Sequence, residues 1–207
     1  MNQNKIDIIK KGFCILENYI EEKTILNWID SLAKHTGEQI SRYDLIHHKE
    51  KLNVDHSINP IFSDYVPLLN KIVDMSQNFN IIECSDSYLN NFENILGDIM
   101  DELYPNLKWT WINSNISLQL YIPNHFINSH EDGVDLNRLC VILIPLSNKP
   151  TGGMGGDLII HSNNDKSVVE SRIGNVVVLD FTKNNVIHEL TRIENWIRTS
   201  LIIIVKK

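Results

Sequence analysis

The feature that most constrains the fold of this 207-residue chain is its change of character near residue 108. Beyond that point, short apolar runs alternate with clusters of Gly, Pro, Asn and Asp. The runs are Ser117–Tyr121, Phe126–Asp132, Arg138–Leu146, Asp157–His161, Val168–Ser171, Asn175–Asp180, Val186–Leu190 and Ile197–Val205. β-branched residues bounded by turn formers predict a succession of short strands, as in a sandwich or barrel. Their number fits a double-sheet jelly roll of the cupin type, a double-stranded β-helix. Before residue 108 the spacing is helical instead. Glu21–Lys34 carries Ile25, Leu26, Trp28, Ile29 and Leu32 on one side, and Ile61–Met75 and Ser85–Leu103 read the same way. Gly12–Leu16 reads as a short strand ahead of those helices. The expectation is one domain over 1–207, mainly β with flanking helices. Residues 1–107 supply helical support against one outer sheet, with His35–Pro60 as a polar loop or lid, and 108–207 form the β core.

Composition excludes several function classes. The formal charge of −7, with no Lys/Arg cluster, is the wrong sign for a nucleic-acid footprint. The three cysteines, Cys14, Cys84 and Cys140, are scattered and form no C-x-x-C pair, which argues against a zinc ribbon or a thioredoxin-like site. The longest apolar runs, such as Leu201–Val205, are far too short to span a bilayer. The opening MNQNKIDIIKKGF lacks a signal-peptide core. A cytoplasmic protein without membrane or nucleic-acid partners is expected, in an undetermined oligomeric state.

One constellation within the β half carries chemistry. In His130-Glu131-Asp132 the first and third residues share a face of an extended strand, so both can reach one metal ion while Glu131 turns away. Gly133 permits a tight turn directly after them. His188 follows in the apolar run Val186-Ile187-His188. Two imidazoles and one carboxylate form the ligand set of non-haem Fe(II) sites, which leave coordination positions open. Taken singly, a His and an Asp beside a turn are ordinary surface features, and a buried histidine is more often hydrogen-bonded than ligating. Together, in this order and on separate strands, His130, Asp132 and His188 point to metal. His161 and His125 compete as ligands and are read as structural; Glu131 or Asp135 could replace Asp132 only with a changed strand register.

The last run adds a cation. Arg198 and Ser200 share a strand face, embedded between Trp196-Ile197 and Leu201–Ile204. A charge in so apolar a strand is costly unless matched. A dicarboxylate matches it, because the guanidinium fork binds carboxylate in a bidentate manner; an internal salt bridge to Asp or Glu is the alternative.

From Leu118 to Val205 the chain resembles the 2-oxoglutarate-dependent Fe(II) dioxygenases, most closely their prolyl-hydroxylase-like branch. The matching residues are Leu118–Tyr121, His130-Glu131-Asp132-Gly133, Arg138 ahead of Leu139–Leu146, Gly155-Gly156-Asp157-Leu158, Gly174–Asp180, His188-Glu189-Leu190 and Arg198-Thr199-Ser200. Gly12–Tyr19 followed by a helix also resembles the family's opening segment. The resemblance implies that His130, Asp132 and His188 hold Fe(II). It also implies that Arg198, helped by Ser200 and Tyr121, pairs with the distal carboxylate of 2-oxoglutarate. Many prolyl-type members carry lysine near the Arg198 position. Asp132 stands where related halogenases have Gly or Ala, which favours hydroxylation. The implied reaction couples decarboxylation of 2-oxoglutarate to succinate and CO₂, with O₂ as the other co-substrate, to hydroxylation of a C–H bond.

The expected substrate is an amino acid, or an amino-acid unit of a peptide or natural-product intermediate. Its determinants are expected at the barrel mouth, from His35–Pro60, Trp109–Trp111, Gly133–Arg138 and Thr151–Gly155. Arg138 and Arg192 could meet a carboxylate and Trp111 an apolar group, although Trp109 and Trp111, on one strand face, read as core ahead of pocket. Three alternatives stand beside this reading: oxidative demethylation by the same iron chemistry, a non-catalytic cupin-like binder, and zinc-dependent hydrolysis, which leaves Arg198 unexplained.

Overall fold

A computed structural model describes residues 3–28, 86–121, 123–124, 126–131, 137–162, 165–182 and 186–207, with the side chains of 5, 86–92, 110–120 and 165 outside the description. Helix α1 (Gln3–Lys11) turns Ile8 inwards and stops at Gly12, whose positive φ of 78° lets its N–H return to the Ile8 carbonyl at 3.0 Å. Only glycine adopts that left-handed cap without strain. Strand β1 (Phe13–Leu16) follows, then a helical segment at 22–28 that buries Ile25 and Trp28. Helix α2 (Asp86–Leu103) presents Leu96, Ile99, Met100 and Leu103 as one apolar stripe.

The remaining strands are β2 (Thr110–Tyr121), β3 (Ile127–His130), β4 (Arg138–Pro145), β5 (Leu158–Ser162), β6 (Asp165–Val169), β7 (Val176–Asp180), β8 (Ile187–Leu190) and β9 (Arg198–Lys206). They form two antiparallel sheets. The larger runs β1-β7-β4-β9-β2 and the smaller β3-β8-β5-β6. This is the expected jelly roll, mainly β with few helices.

From Cys140 onwards, alternation sorts the larger sheet into two faces. Cys140, Ile142, Ile144, Val176, Val178, Leu201, Ile203 and Val205 pack against Ile8, Trp28, Leu96, Ile99 and Met100 of the helices. Val141, Leu143, Val177 and Leu179, with Ile202 and Ile204 against them, meet Leu158, Ile160 and Val169 of the smaller sheet. Both faces of β4, β7 and β9 are therefore covered, which is why these strands read as continuous apolar runs. Each fully buried Ile or Leu contributes roughly 1.5–3 kcal/mol.

Several boundaries differ from the sequence reading. Helix α1 is additional, a short element whose stability comes from docking Ile8 into the helix-side core. Strand β2 begins at Thr110, seven residues before the expected Ser117, because pairing with β9 carries the polar stretch Asn113–Asn115 along. Strand β6 is Asp165–Val169 rather than Val168–Ser171, since its hairpin with β5 sets Ser162 opposite Asp165 and Leu158 opposite Val169. Strand β1, from the N-terminal part, joins the larger sheet beside β7. The expected helix Ile61–Met75, the His35–Pro60 loop, His125, Asp132 and Gly133 lie outside the described residues. No helix among the described residues is long and apolar enough to cross a membrane.

Candidate functional site

Strand pairing brings the two key histidines together. His130 on β3 is the direct register partner of His188 on β8, and their ring centroids are 4.4 Å apart with planes tilted by 51°. His188 also pairs with Ile160, a residue of the inter-sheet cluster, so the two imidazoles lie on the inward face of the smaller sheet. His188 is only 7% exposed.

Each ring is oriented by its own strand. His130 Nδ1 lies 2.8 Å from the Asn128 carbonyl and His188 Nδ1 lies 3.2 Å from the Val186 carbonyl. A carbonyl only accepts, so each Nδ1 carries the proton and donates it. In a neutral ring this leaves the lone pair on Nε2, the tautomer that suits a metal ligand. Among the described residues no group of three or more His, Cys, Asp or Glu side chains could hold a metal ion, and Asp132, the third member of the expected set, is outside them.

His161 belongs to the other face of the smaller sheet. It pairs with the exposed Ile187, and its Nε2 lies 3.3 Å from Glu189 Oε1, which is also on the outer side.

The cation sits on the facing sheet. Arg198 opens β9 and shares the face of Ser200, Ile202 and Ile204. It is 4% exposed, and Ser200 is buried as well. Its Nη1 donates to the Gly156 carbonyl, and its Nε approaches Ser200 Oγ at 3.4 Å. Tyr121 is its register partner on β2. Burial pulls the guanidinium down to about 10, while Tyr121 and Asp157 nearby act in the opposite direction. It therefore keeps its charge at neutral pH. Asp157 itself is paired with Lys149, whose Nζ lies 2.9 and 2.8 Å from its two carboxylate oxygens.

The remaining candidates divide between the two ends of the sandwich. Arg138 pairs with Lys206, at the far end of β9 from Arg198, and its guanidinium lies 5.9 Å from the centroid of the Phe181 ring. On the smaller sheet Leu158, which follows the Gly156 strap at Arg198, pairs with Leu190, and His188 with its partner His130 lies two residues further along β8, towards the end where Arg138 pairs with Lys206. Arg192 is exposed in the connection before β9. It covers the Phe126 ring at 4.3 Å and donates to the Asn124 carbonyl at 3.1 Å. The Thr151–Gly155 stretch, expected at the mouth, joins β4 to β5 at that same Arg198 end. Trp109 packs on the helix-side core; Trp111 is placed by backbone only.

Sequence reasoning missed the group that accepts from Arg198, the main-chain carbonyl of Gly156. The Gly155-Gly156 doublet was the available signal.

No protein-family model matches the chain, and no curated protein matches it. Solved structures do. A prolyl-4-hydroxylase from Pseudomonas putida aligns with a TM-score of 0.61 at 17% identity, over 99% of this chain and 91% of its own. A 2OG-Fe(II) oxygenase family oxidoreductase from Burkholderia pseudomallei aligns at 0.63 and 14%, over 99% and 88%. A prolyl hydroxylase from Trichoplax adhaerens, in complex with a hypoxia inducible factor oxygen degradation domain peptide fragment, aligns at 0.58 and 11%, over 98% and 87%. The chain thus has the jelly-roll fold of the 2-oxoglutarate-dependent Fe(II) oxygenases. Prolyl hydroxylases are among the structures that share its architecture over nearly its whole length.

Proposed function

We propose that the protein is an Fe(II)- and 2-oxoglutarate-dependent dioxygenase that hydroxylates a C–H bond of an amino acid or of an amino-acid unit in a peptide or natural-product intermediate. The observation that carries this reading is the pairing of His130 and His188 on one inward sheet face, both presenting Nε2, opposite a sheet whose inward face holds the buried Arg198. A protein that only bound a small ligand would have no use for two rings of matched tautomer and a desolvated guanidinium in one interior.

His130, His188 and Asp132 are the residues that would hold the metal. The donor set fits, because neutral imidazole through Nε2 suits iron and a carboxylate completes a face of three ligands. Bound Fe(II) would supply the activation of dioxygen, coupled to decarboxylation of 2-oxoglutarate to succinate. The chain's own share is binding and orientation. The main-chain carbonyls of Asn128 and Val186 hold the rings. Arg198, with Ser200 and Tyr121 beside it, receives the distal carboxylate, and the inter-sheet apolar cluster keeps the interior dry. Arg138, beside Phe181 at the His130 end, is the substrate-contact candidate that position favours, with Trp111 and Arg192 as further candidates. The peptide held by the Trichoplax relative supports a peptide or amino-acid substrate.

The test is turnover. Protein incubated with Fe(II), 2-oxoglutarate, oxygen and pools of amino acids or peptides should release succinate and yield a product heavier by one oxygen atom. Succinate without any modified product would leave only uncoupled decarboxylation; neither product would favour a binding protein of the same fold.

A further inference from the structure

We propose that Gly156, Thr191 and Trp196 are positioning residues for Arg198: the glycine carbonyl holds the guanidinium, and the other two hold the glycine. The inference rests on the reading of Arg198 as the receptor of a co-substrate carboxylate.

The strap 155–157 passes directly beside the guanidinium, and hydrogen bonds fix it from both sides. Gly156 N–H donates to the Thr191 carbonyl at 3.2 Å, Asp157 N–H to Thr191 Oγ1 at 2.9 Å, and Thr191 N–H returns to the Asp157 carbonyl at 3.0 Å. Trp196 Nε1 donates to the Gly155 carbonyl at 3.2 Å. Space is as tight as the bonding. A Cβ on Gly156 would stand 2.5 Å from Trp196 Cζ2 and 3.1 Å from Ile193 Cγ1, at a φ of +73°; one on Gly155 would stand 1.6 Å from the Arg192 carbonyl oxygen. Both glycines are there because backbone and indole approach where a side chain would be.

The consequence concerns the guanidinium. An arginine carries five N–H groups in a planar fork. The Gly156 carbonyl and Ser200 engage Nη1 and Nε, which fixes the plane and leaves the other N–H groups for an incoming carboxylate. A fork held in place beforehand loses less freedom when it binds, so the strap raises affinity without touching the ligand. The effect is confined to ligands that use the fork.

That confinement supplies the experiment. Binding of 2-oxoglutarate and of 2-oxopentanoate, which has a methyl in place of the distal carboxylate, is measured by calorimetry on the full chain loaded with Mn(II). Thr191→Val keeps the backbone bonds and removes only Oγ1; Trp196→Phe opens the wall beside Gly156; Thr191→Ser restores the hydroxyl. Each valine or phenylalanine variant should weaken 2-oxoglutarate by about tenfold, the order expected when one hydrogen bond of the strap is lost. Binding of 2-oxopentanoate should stay unchanged and Thr191→Ser should recover the parent affinity. In an Arg198→Lys background, Thr191→Val should add nothing. Equal weakening of both ketoacids, or no weakening of either, overturns the positioning role while leaving the co-substrate reading intact. If the parent protein binds 2-oxoglutarate no better than 2-oxopentanoate, the co-substrate reading itself fails and this inference with it.

Discussion

His130 and His188 are cross-strand partners on β3 and β8, with ring centroids 4.4 Å apart and each Nδ1 turned to a carbonyl of its own strand. Strand register sets their separation. His188→Ala should weaken Fe(II) binding by roughly two orders of magnitude or more, because one of few donors is lost. His161→Ala, on the opposite sheet face beside Glu189, should leave binding unchanged. Equilibrium dialysis of both variants checks this pair of outcomes.

The charge on Arg198 sets a pH window for the co-substrate. Burial has lowered its folded value from the ordinary 12.5 to about 10, so the charged form is the one the fold disfavours. The guanidinium stays protonated through neutral and mildly alkaline pH and loses its proton only as pH rises through about 10. The advantage of 2-oxoglutarate over 2-oxopentanoate should accordingly be flat from pH 7 to about pH 8.5 and shrink towards pH 10. A loss of that advantage near neutrality would mean that another group controls it.

Cys14 and Cys140 should be inert in the folded protein. Burial, reinforced by Glu102, Asp7 and Asp180, pushes the Cys14 thiol up to about 12, and burial raises Cys140 as well. Reactivity follows the thiolate, which neither residue supplies at neutral pH. Peptide mapping after iodoacetamide treatment should find both unmodified until denaturant is added.

The two-faced larger sheet predicts where stability resides. Ile142 is completely buried between β4 and the helices, and Ile142→Ala should cost about 2–5 kcal/mol in chemical denaturation. Val168 is 60% exposed on β6, and Val168→Ala should stay within about 0.5 kcal/mol of the parent.

What the sequence disclosed follows the same physics. Strands β4, β7 and β9 were legible because burial on both faces demands unbroken apolar residues, as in Leu139–Ile144 and Leu201–Val205. The first half of β2 was not, since Asn113–Asn115 carry no strand signature and lie where the ladder with β9 is irregular, between the pairs Thr110–Lys206 and Asn115–Ile204. Helix α1 escaped because nine mostly polar residues declare themselves only once Ile8 has a core to enter. In the site, His130 and His188 stood out by residue type and order, and Arg198 by its conflict with its neighbours. The group that holds Arg198 is a main-chain carbonyl, which every residue has. Only the paired glycines hinted that backbone would come close there, and the partner on the other side, Trp196, lies forty residues further along the chain.

Metal and co-substrate sites are tested together by anaerobic absorption spectroscopy of the purified protein titrated first with Fe(II) and then with 2-oxoglutarate. A visible metal-to-ligand charge-transfer band should require both additions, vanish in His188→Ala and weaken in Arg198→Ala. Fe(II) binding without the band would contradict the co-substrate assignment, and absence of Fe(II) binding would contradict the metal site itself.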